Sequence, residues 1–217
     1  KLNTQHFIYR FSVQRMKDIV KKIHGHGLPV IADHKLADIG SSNSAAIYRI
    51  IERIGFDGIT VHPVTGWKDG IDVMSSLVGR SGAGLFSVIY MSHRGAKDFY
   101  EREIGGKPLY KLFLEQALER NLTGVVVGAT NTKRLDEISK MILQSKSNPV
   151  IMTVGYGKQG GELKEIPKSA LQLNLLAFVG RSILYSYLSD KKVTFAESIS
   201  NRAKEYRDIL KGRIAGK

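Results

Sequence analysis

The chain has 217 residues, of which 42% are hydrophobic, and it carries a formal net charge of +13 at pH 7. This length and apolar content can bury one sizeable core, so we expect a single domain over residues 1–217. No run of about 18 apolar residues is present, and no membrane partner is expected. The absence of cysteine excludes disulfides and thiolate metal sites, and it fits either a reducing cytoplasm, the location we expect, or a hot-adapted protein.

The basic excess raises the question of a nucleic-acid partner. Lysine and arginine are spread along the chain rather than gathered in blocks, and aromatic residues do not alternate with them. This pattern is typical of a solvated basic surface that attracts small anions, so no nucleic acid is expected. The histidines lack a metal-ligand spacing such as HExxH, so no metal site is predicted, and a packing role is favoured for His62.

Short apolar segments alternate with longer helical segments. Strands are predicted within residues 28–35, 56–63, 83–92, 122–130, 148–157 and 175–182. Helices are predicted at residues 41–55, 67–80, 107–121, 133–146 and 194–213, the last with a capping box between Thr194 and Glu197. Near-continuous apolar strands between helices indicate an α/β protein with a parallel sheet. Polar and glycine-rich residues follow almost every strand, which favours a (β/α)8 TIM barrel over a doubly wound sheet.

The segment VIADHKLADIG, residues 30–40, places three charges at the end of an otherwise apolar strand. Residues two apart in a strand share a face, so Asp33 and Lys35 point the same way, and Asp38 follows just past the strand end. A surface ion-pair network would explain the pattern with little energetic gain. Because buried charge without partners is costly, we favour an acid–base–acid cluster that serves chemistry.

Two later segments indicate an anion site. The segment TVGYGKQGG, residues 153–161, has four glycines that let backbone approach an anion, and Gln159 adds an amide donor. The segment FVGRS, residues 178–182, offers a backbone N–H at Gly180 and the guanidinium of Arg181. The loops after the last two strands of (β/α)8 barrels often hold phosphate, so the two segments together predict a phosphate site.

In this order, the segments DHKLADIGSSN, MSHRG, VGATN, TVGYGKQGG and VGRS resemble the orotidine 5'-monophosphate decarboxylase family, in an archaeal-like form, over residues 28–182. The resemblance implies a metal- and cofactor-independent decarboxylase that converts orotidine 5'-monophosphate to UMP in pyrimidine biosynthesis. It also implies a homodimer of (β/α)8 barrels with sites shared at the subunit interface.

The resemblance assigns roles by position. Asp33 and Lys35 would form the catalytic pair, with Lys35 protonating C6 of the ring, and Asp38 would reach into the partner's site. Residues 155–161 would form a lid over the substrate. The substrate-binding residues it implies are Ser42, Ser92 for the pyrimidine, and Gln159, Gly180 and Arg181 for the phosphate.

The family pattern begins with a strand that this sequence does not show. In the family, that strand carries a ribose-binding Asp, and the next strand carries the first Lys of a Lys–Asp–Lys–Asp array. The segment KLNTQHF resembles the end of the second strand, which makes Lys1 the candidate for that first lysine. A barrel without a strand would expose unpaired edges, so we expect an incomplete N-terminus rather than an open barrel.

Two alternatives remain open at this point. Hexulose-6-phosphate synthase and ketogulonate-6-phosphate decarboxylase share the fold and the Asp-x-Lys-x-x-Asp motif, but they use the motif to hold Mg²⁺ beside an enediolate. The segments ADIG and GYGKQGG favour the pyrimidine enzyme, and a metal requirement would reverse that choice. A non-catalytic basic barrel that binds nucleotides or RNA would show salt-sensitive binding, but the acid–base–acid cluster argues against it.

Overall fold

The computed structural model describes residues 1–7, 10–189 and 193–216. Its strands are β1 (Leu2–Asn3), β2 (Ile31–Leu36), β3 (Gly58–Val61), β4 (Gly84–Tyr90), β5 (Glu103–Ile104), β6 (Lys107–Pro108), β7 (Gly124–Gly128), β8 (Val150–Val154) and β9 (Leu175–Phe178). Seven of them form one sheet in the order β1-β2-β3-β4-β7-β8-β9, and β5 pairs with β6 in an antiparallel hairpin.

The helices alternate with these strands along the chain. They are α1 (Val13–His24), α2 (Gly40–Ile47), α3 (Asp72–Arg80), α4 (Ala96–Tyr100), α5 (Leu109–Glu119), α6 (Thr132–Gln144), α7 (Lys168–Leu171), α8 (Arg181–Leu184) and α9 (Phe195–Ala215). Helix α2 continues as a π-helix over Tyr48–Ile54. No helix in the described ranges is long and apolar enough to cross a membrane.

The chain divides into two compact units. The first unit comprises Lys1–Ile89 and Phe113–Val125, and the second comprises Tyr90–Leu112 and Val126–Lys217. The expectation of a single domain stays a prediction.

In the first unit, β1, β2, β3 and β4 pair in parallel. Ala32, Ile59 and Val61 have no exposed surface, and every residue of β4 is buried. Parallel strands read as continuous apolar runs because helices cover both of their faces. The register of β2 against β3 shifts between Ala32 and Leu36, so the ladder is irregular where β2 carries its charged residues.

Helix α1 covers this unit through an amphipathic face. Ser12 caps the helix, because its side chain accepts a hydrogen bond from the backbone N–H of Arg15 at 3.2 Å. Met16 and Val20, four residues apart, are the buried side chains of the helix. The sequence prediction lacks this helix and is wrong there, although a serine cap and the spacing of its apolar residues are both present.

In the second unit, β8 and β9 pair in parallel from Ile151↔Leu175 to Val154↔Phe178. Helix α9 begins at a capping box in which Thr194 and Glu197 bond each other's backbone, as predicted. The β5–β6 hairpin is absent from the sequence prediction, because its strands have only two residues each and no apolar alternation. All six predicted strands are present and each is shorter than predicted, although β2 ends at Leu36, one residue beyond its predicted range.

Candidate active site

The first unit gathers two lysines around one buried carboxylate. Asp33 is 5% exposed, and its Oδ1 accepts a hydrogen bond from Lys35 Nζ at 2.6 Å. Its other oxygen, Oδ2, accepts a hydrogen bond from Lys1 Nζ. A buried carboxylate that has a cation on each oxygen is compensated, so it stays charged. We call Lys1, Asp33, Lys35 and Thr60, whose hydroxyl bonds Asp33 and the Lys35 backbone, the charged cluster.

The backbone of β2 leaves regular strand geometry to build this cluster. Lys35 has φ +54°, a left-handed conformation that is uncommon for a residue with a side chain. It lies within the segment where the register of β2 against β3 shifts. Irregularities of this kind re-aim side chains and occur next to active sites.

Charge and burial oppose each other in the cluster. Burial alone raises the pKa of Asp33, but Lys1 and Lys35 outweigh it, so the pKa lies below its usual value. Burial lowers the pKa of Lys1, and Lys35 lowers it further, while Asp33 acts in the opposite direction. The pKa of His62 is lowered by burial and by the charge of Lys35, which favours a neutral imidazole.

Asp38 and Ser42 lie apart from the hydrogen bonds of the cluster. The Asp38 carboxylate is exposed and accepts a hydrogen bond from the Ile39 backbone N–H at 2.8 Å. Among the described residues it makes no ion pair with Lys35. Ser42 is exposed in the first turns of α2. The side chain of the fully buried Asn43 donates a hydrogen bond to the carbonyl oxygen of Asp38 and so anchors this turn.

The second unit holds the glycine loop, which we define as residues 155–161. Gly155 and Gly157 have φ +105° and +73°, conformations that favour glycine. The loop folds on itself, because the Gly157 N–H donates to the Gly161 carbonyl at 2.8 Å and the Gly161 N–H donates to the Gly155 carbonyl at 3.1 Å. It is also fixed to α8, since Ser182 Oγ accepts the Lys158 N–H at 3.1 Å.

Two predicted ligand residues meet at this loop. Ser92 Oγ donates a hydrogen bond to Gln159 Oε1 at 3.0 Å. Thr130 Oγ1 donates to the Ser92 carbonyl at 2.9 Å and connects the segments MSHRG and VGATN. A serine hydroxyl and a glutamine amide that bond each other can exchange that bond for bonds to a ligand.

Gly180 and Arg181 lie at the start of α8, and both are exposed. Gly180 caps this short helix with φ −101° and ψ −93°. Arg181 is followed directly by Ser182, the residue that bonds the glycine loop. A phosphate contact by Arg181 stays a prediction.

Sequence reasoning missed three hydroxyl residues of these regions. Thr60 and Thr130 bond Asp33 and Ser92, which it did single out, and Ser182 bonds Lys158 within the predicted glycine-rich segment. Threonine is common in strands, so composition gave no sign of Thr60. The ring of His62 packs edge-on against Phe113, with ring centroids 5.9 Å apart, which is the kind of packing role expected for it.

Comparison with known proteins places these features in a family. Residues 1–195 match the Orotidine 5'-phosphate decarboxylase / HUMPS family. The orotidine 5'-phosphate decarboxylase of Thermomicrobium roseum is 34% identical over 192 residues, which cover 84% of this chain and 64% of that protein. The one from Pyrococcus abyssi is 34% identical over 167 residues, which cover 76% of this chain and 71% of that protein.

Solved structures agree with the fold. Orotidine 5'-monophosphate decarboxylase from Methanocaldococcus jannaschii, complexed with the inhibitor BMP, gives a TM-score of 0.71 at 27% identity and covers 91% of this chain and 79% of that chain. A putative relative from Toxoplasma gondii gives a TM-score of 0.75 at 20% identity, covers 94% of this chain and 75% of that chain, and supports the fold alone. The predicted α/β barrel class is thereby confirmed. The chain belongs to the Orotidine 5'-phosphate decarboxylase / HUMPS family.

Proposed function

We propose that this chain catalyses the decarboxylation of orotidine 5'-monophosphate to UMP. The observation that carries the proposal is the buried Asp33 with Lys35 on one oxygen and Lys1 on the other. The similarity to decarboxylases of Thermomicrobium roseum and Pyrococcus abyssi supports it. The chain spans 64% of the length of the first of these relatives.

The cluster has the charges that the reaction needs. When the bond between C6 and the carboxyl carbon breaks, CO₂ leaves and the electron pair stays on C6. The ammonium of Lys35 stabilises that charge and then gives C6 its proton. Asp33 holds the ammonium of Lys35 in position, since its carboxylate lies 2.6 Å from Lys35 Nζ. No metal or organic cofactor takes part in this scheme.

Asp33 also contributes repulsion in this scheme. Its carboxylate would lie near the carboxylate of the substrate. Two like charges about 4 Å apart, at an effective dielectric constant of about 20, repel each other by roughly 4 kcal/mol. Loss of CO₂ relieves that repulsion. The relief favours the reaction only by the part of the repulsion that arises when the substrate binds.

We assign substrate binding to residues of the second unit. Ser92 binds the pyrimidine, while Gln159, Gly180 and Arg181 bind the phosphate. The hydrogen bond between Ser92 and Gln159 supports this assignment, because both groups lie at the glycine loop and are polar, accessible partners for a ligand. Phosphate contacts far from C6 supply binding energy that closes the loop as a lid.

We further propose a cytoplasmic homodimer in which Asp38 and Ser42 serve the partner's site. The exposed Asp38 carboxylate makes no ion pair with Lys35 of its own subunit within the described residues. Next to it, Ile39 is 61% exposed, which is unusual for a large apolar side chain and suits an interface. No nucleic-acid or membrane partner belongs to this proposal.

The first experiment is turnover of orotidine 5'-monophosphate, followed by ultraviolet absorbance with a chelator present. We expect metal-independent turnover that falls about 10⁴-fold or more in Lys35→Ala, because the proton donor and the stabilising cation are both lost. Lys140→Ala is the matched control, since Lys140 also forms an ion pair, with Asp136 at 2.6 Å, but on α6. Turnover that requires Mg²⁺, or that occurs only with hexulose 6-phosphate, would move the assignment to the sugar-phosphate branch.

Mixing two inactive variants tests the shared site. Lys35→Ala and Asp38→Ala subunits form mixed dimers in which one site carries both substitutions and the other carries neither. Random mixing then restores about a quarter of the wild-type activity, because half of the dimers are mixed and each has one intact site. An activity that stays at the level of the separate variants would contradict a shared site.

A further inference from the structure

We propose that Thr60 is a positioning residue whose hydroxyl group sets the direction of both Lys35 and Asp33. The inference deepens the proposed decarboxylase function and rests on it. Thr60 lies in β3 and has no exposed surface. It does not touch solvent, so its effect on the reaction passes through its two neighbours.

The hydroxyl of Thr60 makes two hydrogen bonds. Its Oγ1 accepts the backbone N–H of Lys35 at 3.0 Å and donates to Asp33 Oδ1 at 3.1 Å. A hydroxyl has a single proton to donate. Because the Lys35 N–H donates to a lone pair of Thr60 Oγ1, the hydroxyl proton of Thr60 points at Asp33. The backbone of one catalytic residue and the carboxylate of another are therefore joined through one atom.

This side chain replaces a bond that the irregular strand lacks. The register of β2 against β3 shifts between Ala32 and Leu36, and Lys35 lies there with φ +54°. In a regular parallel ladder, a backbone N–H donates to a carbonyl of the neighbouring strand. Here the Lys35 N–H donates to a side chain of that strand instead. Thr60 thus satisfies a backbone group that would otherwise lack a partner in a strained conformation.

The consequence for the reaction follows from the shared oxygen. Asp33 Oδ1 accepts from Thr60 Oγ1 and also from Lys35 Nζ at 2.6 Å. The hydroxyl fixes the orientation of the carboxylate, and the carboxylate aims the ammonium. Without the hydroxyl, the Lys35 backbone and the Asp33 carboxylate can each rotate, and the ammonium moves away from C6. We therefore expect the chemical step to suffer more than substrate binding.

The test compares Thr60→Val with Thr60→Ser. Valine keeps the branched shape and removes the hydroxyl, whereas serine keeps the hydroxyl. We expect kcat to fall about 10- to 100-fold in Thr60→Val, as misplacement of a catalytic group by about 1 Å does, with little change in KM. Thr60→Ser restores kcat to near the wild-type value. Thr123→Val is the matched control, because Thr123 Oγ1 also accepts a strand N–H, that of Leu85 at 3.1 Å.

A second measurement is independent of turnover. Amide hydrogen exchange of Lys35, followed by NMR in lysine-labelled protein, reports whether its N–H has lost an acceptor. We expect faster exchange in Thr60→Val, but not in Thr60→Ser or Thr123→Val. If the valine variant does not fold, Thr60→Ala removes the same hydroxyl. If the wild-type chain shows no turnover, the proposed function fails, and the exchange rates still decide the role of Thr60.

The inference is overturned if Thr60→Val keeps both wild-type kcat and wild-type protection of the Lys35 amide. It is also overturned if Thr60→Ser loses as much activity as Thr60→Val, because a restored hydroxyl would then have no effect.

Discussion

The charged cluster and the glycine loop are built differently, although we propose that both serve one reaction. In the cluster, Asp33 is 5% exposed, and ion pairs with Lys1 and Lys35 hold it. In the glycine loop, Gln159 is exposed, and backbone hydrogen bonds hold the chain. If both regions act as proposed, the charged groups for the chemistry are in place before the substrate arrives, whereas the loop groups that we propose for the phosphate must exchange their partners when it arrives.

Asp33→Asn is the strongest way to break the cluster while leaving the loop untouched. The substitution leaves Lys1 and Lys35 without their carboxylate. We expect kcat to fall about 10³-fold, the range seen when a preorganised electrostatic group is removed. The free energy of unfolding should fall by about 3–5 kcal/mol, because removing one partner of a buried ion pair leaves uncompensated charge. Assays at saturating substrate and urea unfolding measure the two effects.

Asp136→Asn is the control for that loss of stability. Asp136 pairs with Lys140, which is 63% exposed, so its removal should cost no more than about 1 kcal/mol. Equal losses in the two variants would contradict a compensated, buried cluster.

The pH dependence of stability gives a further test. The pKa of Asp33 lies below its usual value of 3.8, so the contribution of the ionised Asp33 to the free energy of unfolding is fully present above pH 3.8. It is lost as the pH falls through the lower pKa of the folded state, and Asp33→Asn should remove this acid dependence.

Gly157→Ala tests the loop and should have a smaller effect. The φ of Gly157 is +73°, and a Cβ atom there would lie 2.0 Å from Ser182 Oγ. The loop or the Ser182 side chain must therefore shift, which disturbs the bond between Ser182 Oγ and the Lys158 N–H. We expect KM to rise about 10-fold, equivalent to about 1.4 kcal/mol of binding, with a smaller change in kcat. Steady-state kinetics with orotidine 5'-monophosphate measure both constants.

Gly105→Ala separates this collision from backbone strain. Gly105 has φ +60° and no atom within 4 Å of a Cβ position, so the substitution adds strain without contact. It lies between β5 and β6, and we expect it to leave KM unchanged. If Gly105→Ala and Gly157→Ala raise KM equally, the contact between the loop and Ser182 has no part in binding.

Most of the fold could be predicted from the sequence, because the strands are apolar runs bounded by polar and glycine residues. The spacing of Asp33 and Lys35 indicates a pair, since residues two apart in a strand share a face. The geometry of that pair, however, depends on the left-handed backbone of Lys35. The sequence of helix α1 contains a serine cap, Ser12, and the apolar spacing of Met16 and Val20. The many charged residues between them make this apolar pattern hard to recognise.

The remainder of the site depends on tertiary structure. The left-handed backbone of Lys35 arises where the register of β2 against β3 shifts. The sequence of one strand does not reveal how it pairs with the next strand. Thr60 lies beside Asp33 because Ala32 pairs with Ile59, and its bond to the Lys35 N–H depends on the irregularity that follows. Ser182 meets the glycine loop through the fold of the second unit, 24 residues from its partner Lys158. Such contacts between distant residues have no local signature in the sequence.

The left-handed lysine of β2 also bears on transfer of this chemistry to another scaffold. A designer who copied Asp-x-Lys onto a regular strand would retain the spacing and lose the geometry, because Lys35 has φ +54° and bonds a side chain of the next strand. Replacing that lysine with glycine would relax the backbone but remove the amine. The smallest portable unit is therefore a pair of strands in shifted register, with the threonine on one and the charged residues on the other.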